Sequence, residues 1–306
     1  MFIMPENKRA VYNTYIKLIT AIAIWGGSFI ATKIAVQEVS PVTVVWLRFF
    51  IGTIILGHFA WKRKELVLPD WKDSLEFLLL GFLGITLHQW LQSSGLVTSE
   101  ASTTAWLVST APALMALLGW IFLKEKLSWR TITGFLLATI GVVLVVTKGN
   151  IQSIINGKFG ASGDILILIS ALNWAIFSVL SMPILKRFSA IKVTFYVLLF
   201  GWLLTSVQFL VGHHWIEFNQ LSTTGWASIA FLGIFCSALA YIFYNDGLKA
   251  LPASKVGVFL YLEPLIATIV AAAVLSESIV LASLAGGGLI LLGVWLVSQN
   301  SEESLK

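Results

Sequence analysis

GLVTSEASTTAWLVSTAPALMALLGWIFLKEKLSWRTITGFLLATIGVVLVV, residues 95–146, returns further along the chain as GLKALPASKVGVFLYLEPLIATIVAAAVLSESIVLASLAGGGLILLGVWLVS, residues 247–298. A shift of 152 residues lays Gly95, Ala101, Ser102, Pro112, Glu125, Gly134 and Gly141 on Gly247, Ala253, Ser254, Pro264, Glu277, Gly286 and Gly293. Matches between Leu and Val come free in apolar sequence. One proline, one glutamate and three glycines in the same order do not. The chain therefore contains an internal repeat, and a repeat decides the architecture before any single motif does. Earlier segments correspond at a shift of 149: Trp25 with Trp174, Ser40 with Ser189, Gly52 with Gly201, and FLGI at 82–85 with FLGI at 231–234.

The segments outside that stretch are of the same kind. Apolar runs fall at about 15–36, 41–60, 75–96, 101–123, 129–147, 163–184, 191–212, 225–246, 253–275 and 280–298. As helices, runs of roughly 20 residues cross a bilayer core. The 306 residues are 58% hydrophobic and only 11% charged, with a mean hydropathy of +0.88. A soluble domain carries roughly 25% charge, so lipid is the main solvent here. The expected fold is an all-α integral membrane protein of ten transmembrane helices, arranged as two inverted five-helix repeats. Turn chemistry separates several runs: Ser40-Pro41, Pro69-Asp70, Lys148-Gly149-Asn150 and Leu251-Pro252.

Lys and Arg set the orientation. With the N-terminus cytoplasmic, sixteen of the 20 basic residues fall on the cytoplasmic side, Lys148 and Lys158 fall outside, and Lys33 and Arg48 lie within spans. Both termini are thus expected inside, with no removable signal in MFIMPENKRA. Five spans per half is an odd number, so the second repeat enters the membrane upside down. The halves divide at 1–150 and 151–306, within the connection from Lys148 to Ser162. Inverted repeats are a common architecture of secondary transporters, with the substrate near the midplane between them.

Some functions are disfavoured at once. The net charge of +5 is spread over span ends, so no nucleic-acid partner is expected. The single cysteine, Cys236, allows neither an internal disulfide nor a thiolate metal site. The signatures H-E-x-x-H, G-x-S-x-G and the phosphate loop G-x-x-x-x-G-K-[ST] do not occur, so neither an enzyme nor a nucleotide motor is expected. His213, His214 and Glu217 cluster in an outer loop but lack good ligand spacing, and no metal or cofactor is expected.

Several stretches together resemble one known family. AIAIWGGSFIATKIA, SPVTVVWLRFF and APALMALLGWIFLKEKLSWRTITGFLLATIGVVLV resemble one EamA domain, and LEPLIATIVAAAVLSESIVLASLAGGGLILLGVWLV resembles the second. The chain is thus similar to ten-helix EamA permeases of the drug/metabolite transporter superfamily over nearly its full length. The resemblance implies alternating access and a cargo among amino acids, other metabolites, nucleosides or toxic compounds, often moved outward.

Polar residues inside spans mark the candidate site, because burying them in lipid is expensive. Gly81, Gly84, His88, Gln92 and Gly95 form one stripe along the third helix; His88 and Gln92 can line a cavity, or His88 can bond between helices. Glu263 precedes Pro264 in the ninth helix. A carboxylate there must pair, protonate or face water, which suits a proton or an ammonium group, or a structural ion pair with Arg48. Arg48 itself can clamp a carboxylate, snorkel or tie helices together. Trp25 and Trp174 hold matching mid-helix positions, with Asn173 beside the latter; two tryptophans brought to the centre would wall a cavity or simply pack between helices. Tyr241 and Tyr244 can form an inner gate or sit in an interfacial belt. Glu125 and Glu277 read as helix caps or loop ties. Gly134, Gly141, Gly286 and Gly293 suit close helix packing, within the chain or in a homodimer.

The expected function is a secondary transporter, an exporter of a small organic solute such as an amino acid. Trp25, His88, Gln92, Asn173, Trp174 and Glu263 are the expected binding residues, and Arg48, Tyr241 and Tyr244 gate or couple; a proton is the coupling ion if the transport is coupled, and facilitated diffusion is the alternative. The alternatives are efflux of cationic drugs and, outside transport, a membrane scaffold or sensor.

Overall fold

The computed structural model describes residues 6–111, 113–114, 117–118, 129–150, 152, 160–250, 259–260 and 262–303. Pro112, Glu125, Pro252, Ala253 and Ser254 lie outside them. Among the described residues the chain is helical, with no strand. We number the helices α1 (Glu6–Ala35), α2 (Pro41–Lys62), α3 (Trp71–Gly81, Phe82–Leu87 and His88–Thr98 without a break), α4 (Ala101–Val108) and α5 (Trp129–Thr147). The second repeat gives α6 (Ser162–Arg187), α7 (Ala190–Val211), α8 (Thr223–Phe231, Leu232–Leu239 and Ala240–Ala250 without a break), α9 (Leu262–Leu275) and α10 (Leu281–Glu303). A short 3-10 turn, His214–Gln220, joins α7 to α8. Among the described residues, α1, α2, α3, α6, α7 and α8 contain spans long and apolar enough to cross a membrane, and α5, α9 and α10 contain shorter apolar stretches.

Side-chain caps fix where the helices begin, in the same way in each half. The Ser40 hydroxyl accepts from the Thr43 amide at α2, and the Ser189 hydroxyl accepts from Lys192 at α7. Asp70 accepts from Asp73 at α3, and Ser222 accepts from Gly225 at α8. Each satisfies an amide that the first helical turn leaves unpaired.

The two repeats interlock. α1 packs along α8 and α9, and α6, its counterpart, packs along α3 and α4. α2 pairs with α7 and α5 with α10. The first helix of each repeat is thus held by the third and fourth helices of the other, as a two-fold relation demands. The glycines give its sharpest sign. A Cβ on Gly141 would stand 2.5 Å from the Gly286 carbonyl oxygen, and one on Gly293 would strike the Gly134 carbonyl. These crossed contacts make α5 and α10 antiparallel. The glycine faces are therefore used inside the chain, where the missing side chains let two backbones touch.

Both α3 and α8 contain one wider, π-type stretch, Phe82–Leu87 and Leu232–Leu239. These stretches coincide with the two FLGI sequences. Such single-turn widenings are uncommon and cluster at functional sites.

Candidate functional site

Two candidate half-sites lie across the boundary between the repeats. In the first, the Trp25 indole of α1 donates from Nε1 to the Cys236 carbonyl oxygen of α8 at 3.2 Å. Its ring lies 5.4 Å from that of Tyr241, edge-on, and 5.1 Å from that of Tyr244. Such aromatic pairs contribute roughly 0.5–1.5 kcal/mol each beyond their burial. α9 joins this side: a Cβ on Gly26 would meet the backbone oxygen of Glu263 at 3.1 Å, so the glycine admits α9 against α1 next to Trp25. The Glu263 side chain is half-buried and forms no ion pair with Arg48.

The second half-site is the counterpart, built from α6 and α3. The Asn173 amide donates to the Leu83 carbonyl at 2.7 Å. Leu83 lies in the widened stretch of α3, where its carbonyl also takes the His88 amide. His88 is 5% exposed, and its Nδ1 sits 3.1 Å from the Ser170 carbonyl oxygen; a carbonyl only accepts, so that nitrogen carries the proton. The imidazole stacks obliquely on Trp174, 4.9 Å between ring centres, and Trp174 in turn meets Phe177 at 5.0 Å. Gln92 is buried one turn further along α3.

The stripe on α3 is mostly a packing seam. Cβ atoms on Gly84 and Gly95 would strike Phe177 and Ile167 of α6, and one on Gly81 would strike the backbone of Gly201 in α7. His88 makes its hydrogen bond within this seam, and Gln92 lies along the same face.

Arg48 joins the half-sites. It is 4% exposed, donates from Nε to the Ser237 hydroxyl of α8 at 3.3 Å and from Nη1 to the Gln89 side-chain oxygen of α3 at 3.0 Å. Gly52, one turn along α2, permits the approach: a Cβ there would lie 2.7 Å from the Ser237 Cβ. Residue pattern does not point to Gln89, because it lies off the Gly81–Gly95 stripe. Nor does it point to the Leu83 and Cys236 carbonyls, which no residue type announces; the duplicated FLGI is the available signal.

At the end of the bundle where α1 turns into α2, carboxylates of one segment cap helices of another. Glu38 accepts from the amide and hydroxyl of Ser222 at α8, and Glu277 accepts from the amides of Ala101 and Ser102 and the Ser102 hydroxyl at α4. Glu217 accepts from the Ser40 amide at 2.8 Å, the Thr43 hydroxyl at 2.7 Å and, through its other oxygen, pairs with His214 at 2.6 Å. Burial works against the charge on Glu217, but the hydrogen bonds from Thr43, His214 and Ser40 outweigh it and hold its pKa below the usual carboxylate value. Lys33 reaches the same end and donates to the Leu96, Val97 and Ser99 carbonyls at the end of α3, where a cation is favoured.

An interlocked pair of five-helix repeats with long apolar helices is the architecture of a multi-pass membrane protein. The family model of the EamA-like transporters matches residues 13–147 and again 161–299, one match per repeat, and the chain belongs to that family. It is 27% identical over 292 residues to an uncharacterized transporter of Archaeoglobus fulgidus, covering 95% of this chain and 99% of that one. It is 29% identical to the uncharacterized transporter YyaM of Bacillus subtilis, covering 94% and 93%. A solved crystal structure, 19% identical, superposes with a TM-score of 0.65 over 96% of this chain and 99% of that one, and so shares its fold.

Proposed function

We propose that this protein is a secondary transporter of a small organic solute such as an amino acid, working outward by alternating access in a cell inner membrane with both termini cytoplasmic. The observation that carries the reading is the pairing of equivalent half-sites, Trp25 with α8 and Trp174 with α3, across the interface between repeats. Residues 1–150 and 151–306 rock about that interface, so each half-site can open while the other holds. The solute lies among Trp25, His88, Gln92, Asn173, Trp174 and Glu263, with Arg48 between the half-sites. Tyr241 and Tyr244, packed on Trp25, close the path on one side. Glu263, which pairs with no basic residue among those described, is the proton-coupling group. A transporter without ion coupling would carry the same resting contacts, so the coupling needs a direct test.

That test is counterflow in liposomes containing the purified protein, with amino acids, nucleosides and lipophilic cations as cargo, comparing wild type with Glu263→Gln. Saturable exchange of amino acids is the expected result. The variant should lose flux driven by a proton gradient, while exchange persists with a raised KM. Equal behaviour in every mode removes Glu263 from coupling, and exchange of lipophilic cations alone replaces the cargo with cationic drugs.

A further inference from the structure

Arg48 holds most of its hydrogen-bonding capacity in reserve. A guanidinium carries five N–H donors; the Arg48 Nε and one N–H of Nη1 are taken, by Ser237 and Gln89. The other three, on Nη1 and Nη2, have no acceptor among the described residues. At 4% exposure the side chain has little access to bulk water. Both of its acceptors are neutral, and no carboxylate lies within ion-pair distance of it among the described residues. A buried cation without an anion is an expensive arrangement, and proteins that keep one give it a partner.

The surroundings say what that partner is. Arg48 reaches the same α8 segment on which Trp25 rests, through Ser237, the residue next to Cys236. Tyr241, one turn beyond Ser237 on α8, packs on Trp25. Val197 occupies the place of Arg48 in the second repeat, so the positive charge belongs to one half only and orients whatever binds. A lipophilic cation would meet Arg48 as a like charge. A planar carboxylate matches the free fork of donors. Resting on the transport reading above, we infer that Arg48 anchors a carboxylate of the solute, so that the cargo is an amino acid or another carboxylate-bearing molecule and never a simple cation.

Each amino acid that exchanges in counterflow is set against its own amide and its decarboxylated amine as competitors. In wild type the amide and the amine should compete at least ~10-fold more weakly than the acid, the loss expected for one charge-assisted hydrogen-bonded pair. Arg48→Lys keeps the charge but not the fork, and should raise KM for the acid by a similar factor with the maximal rate retained. Arg48→Gln should abolish the preference for acid over amide, whereas a residue that merely ties helices would weaken both competitors equally. The wild-type competition stands even where a variant does not fold. Amides that compete as well as acids, or a panel that exchanges only neutral and cationic solutes, overturn the anchor and leave transport intact. No exchange of any class by folded protein overturns the transport reading and the anchor with it.

Discussion

Trp25 and Cys236 are joined by a hydrogen bond from an indole to a main-chain oxygen, 3.2 Å long, across the boundary between the repeats. The acceptor lies in the widened stretch of α8, Leu232–Leu239. On the other side of the pseudo-two-fold, the widened stretch of α3 offers the Leu83 carbonyl to Asn173, next to Trp174. Each repeat thus presents a main-chain oxygen to a polar side chain from the first helix of the other. The acceptors at both half-sites are main-chain oxygens, so the donors Trp25 and Asn173 are the side chains on which these two bonds depend.

Replacing Trp25 tests that attachment. Trp25→Phe keeps a ring against Tyr241 and Tyr244 and removes the donor to Cys236. One neutral hydrogen bond is worth about 1 kcal/mol, so KM in counterflow should rise roughly fivefold. Trp25→Ala also removes both ring contacts and should raise KM well beyond that. Equal KM in wild type and both variants would remove Trp25 from the site.

Much of the architecture is legible in the amino-acid sequence. Pro112 and Pro264, with the glycines around them, announce two copies of one unit, and an odd span count makes the second copy inverted. The turn chemistry at Ser40-Pro41 and Pro69-Asp70 falls where Ser40 and Asp70 cap helices, and Ser189, the repeat counterpart of Ser40, caps α7. Gly141 and Gly286 announce close packing, although not that they face each other. The choice of neighbour is what residue pattern withholds. In helices apolar on all sides, periodicity says that Gly81, Gly84, His88 and Gly95 share a face, yet not whether that face meets α6 or open space. The π-type stretches are hidden for a related reason: one residue added to a turn rotates everything after it, and no residue type demands it.

The glycine crossing of α5 and α10 gives a stability test with its own control. A methyl on Gly141 would stand 2.5 Å from the Gly286 oxygen, whereas nothing lies within 4 Å of a Cβ on Gly288 in the same helix pair. Gly141→Ala should therefore destabilise the detergent-solubilised protein by about 1–3 kcal/mol, the usual effect of overpacking. Gly288→Ala should leave the melting temperature unchanged or raise it slightly, since Ala is the better helix former by roughly 1 kcal/mol. Equal effects of the two changes would contradict the antiparallel crossing.

Glu277 caps α4 from outside that helix, through the amides of Ala101 and Ser102 and the Ser102 hydroxyl. Glu277→Ala strips these donors of their acceptor and should cost about 1–2 kcal/mol, the upper range for losing a helix cap. Limited proteolysis should then cut the 98–101 turn faster than in wild type. Unchanged cleavage there, with an unchanged melting temperature, would show that water replaces the cap without loss.

Glu217 gives the same end of the bundle a dependence on pH whose sign is fixed by its contacts. The charged form accepts from Ser40, Thr43 and His214, and these bonds hold its folded pKa below the ordinary value of 4.5. In the unfolded chain the group takes its ordinary value. Folding therefore favours the charged form, and the stabilisation is complete above pH 4.5. It shrinks as the pH falls below that value and is lost once the pH passes the lower folded pKa. A protonated Glu217 presents one acceptor fewer to the start of α2, where negative charge also suits the helix dipole. Melting temperature recorded against pH should thus fall on the acid side of 4.5 for wild type. Glu217→Gln should begin lower and lose less over the same interval, because it has no proton to take up there. Parallel curves for the two proteins would place the acid sensitivity in another carboxylate, and the caps at Glu38 and Glu277 would be the next pair to exchange for glutamine.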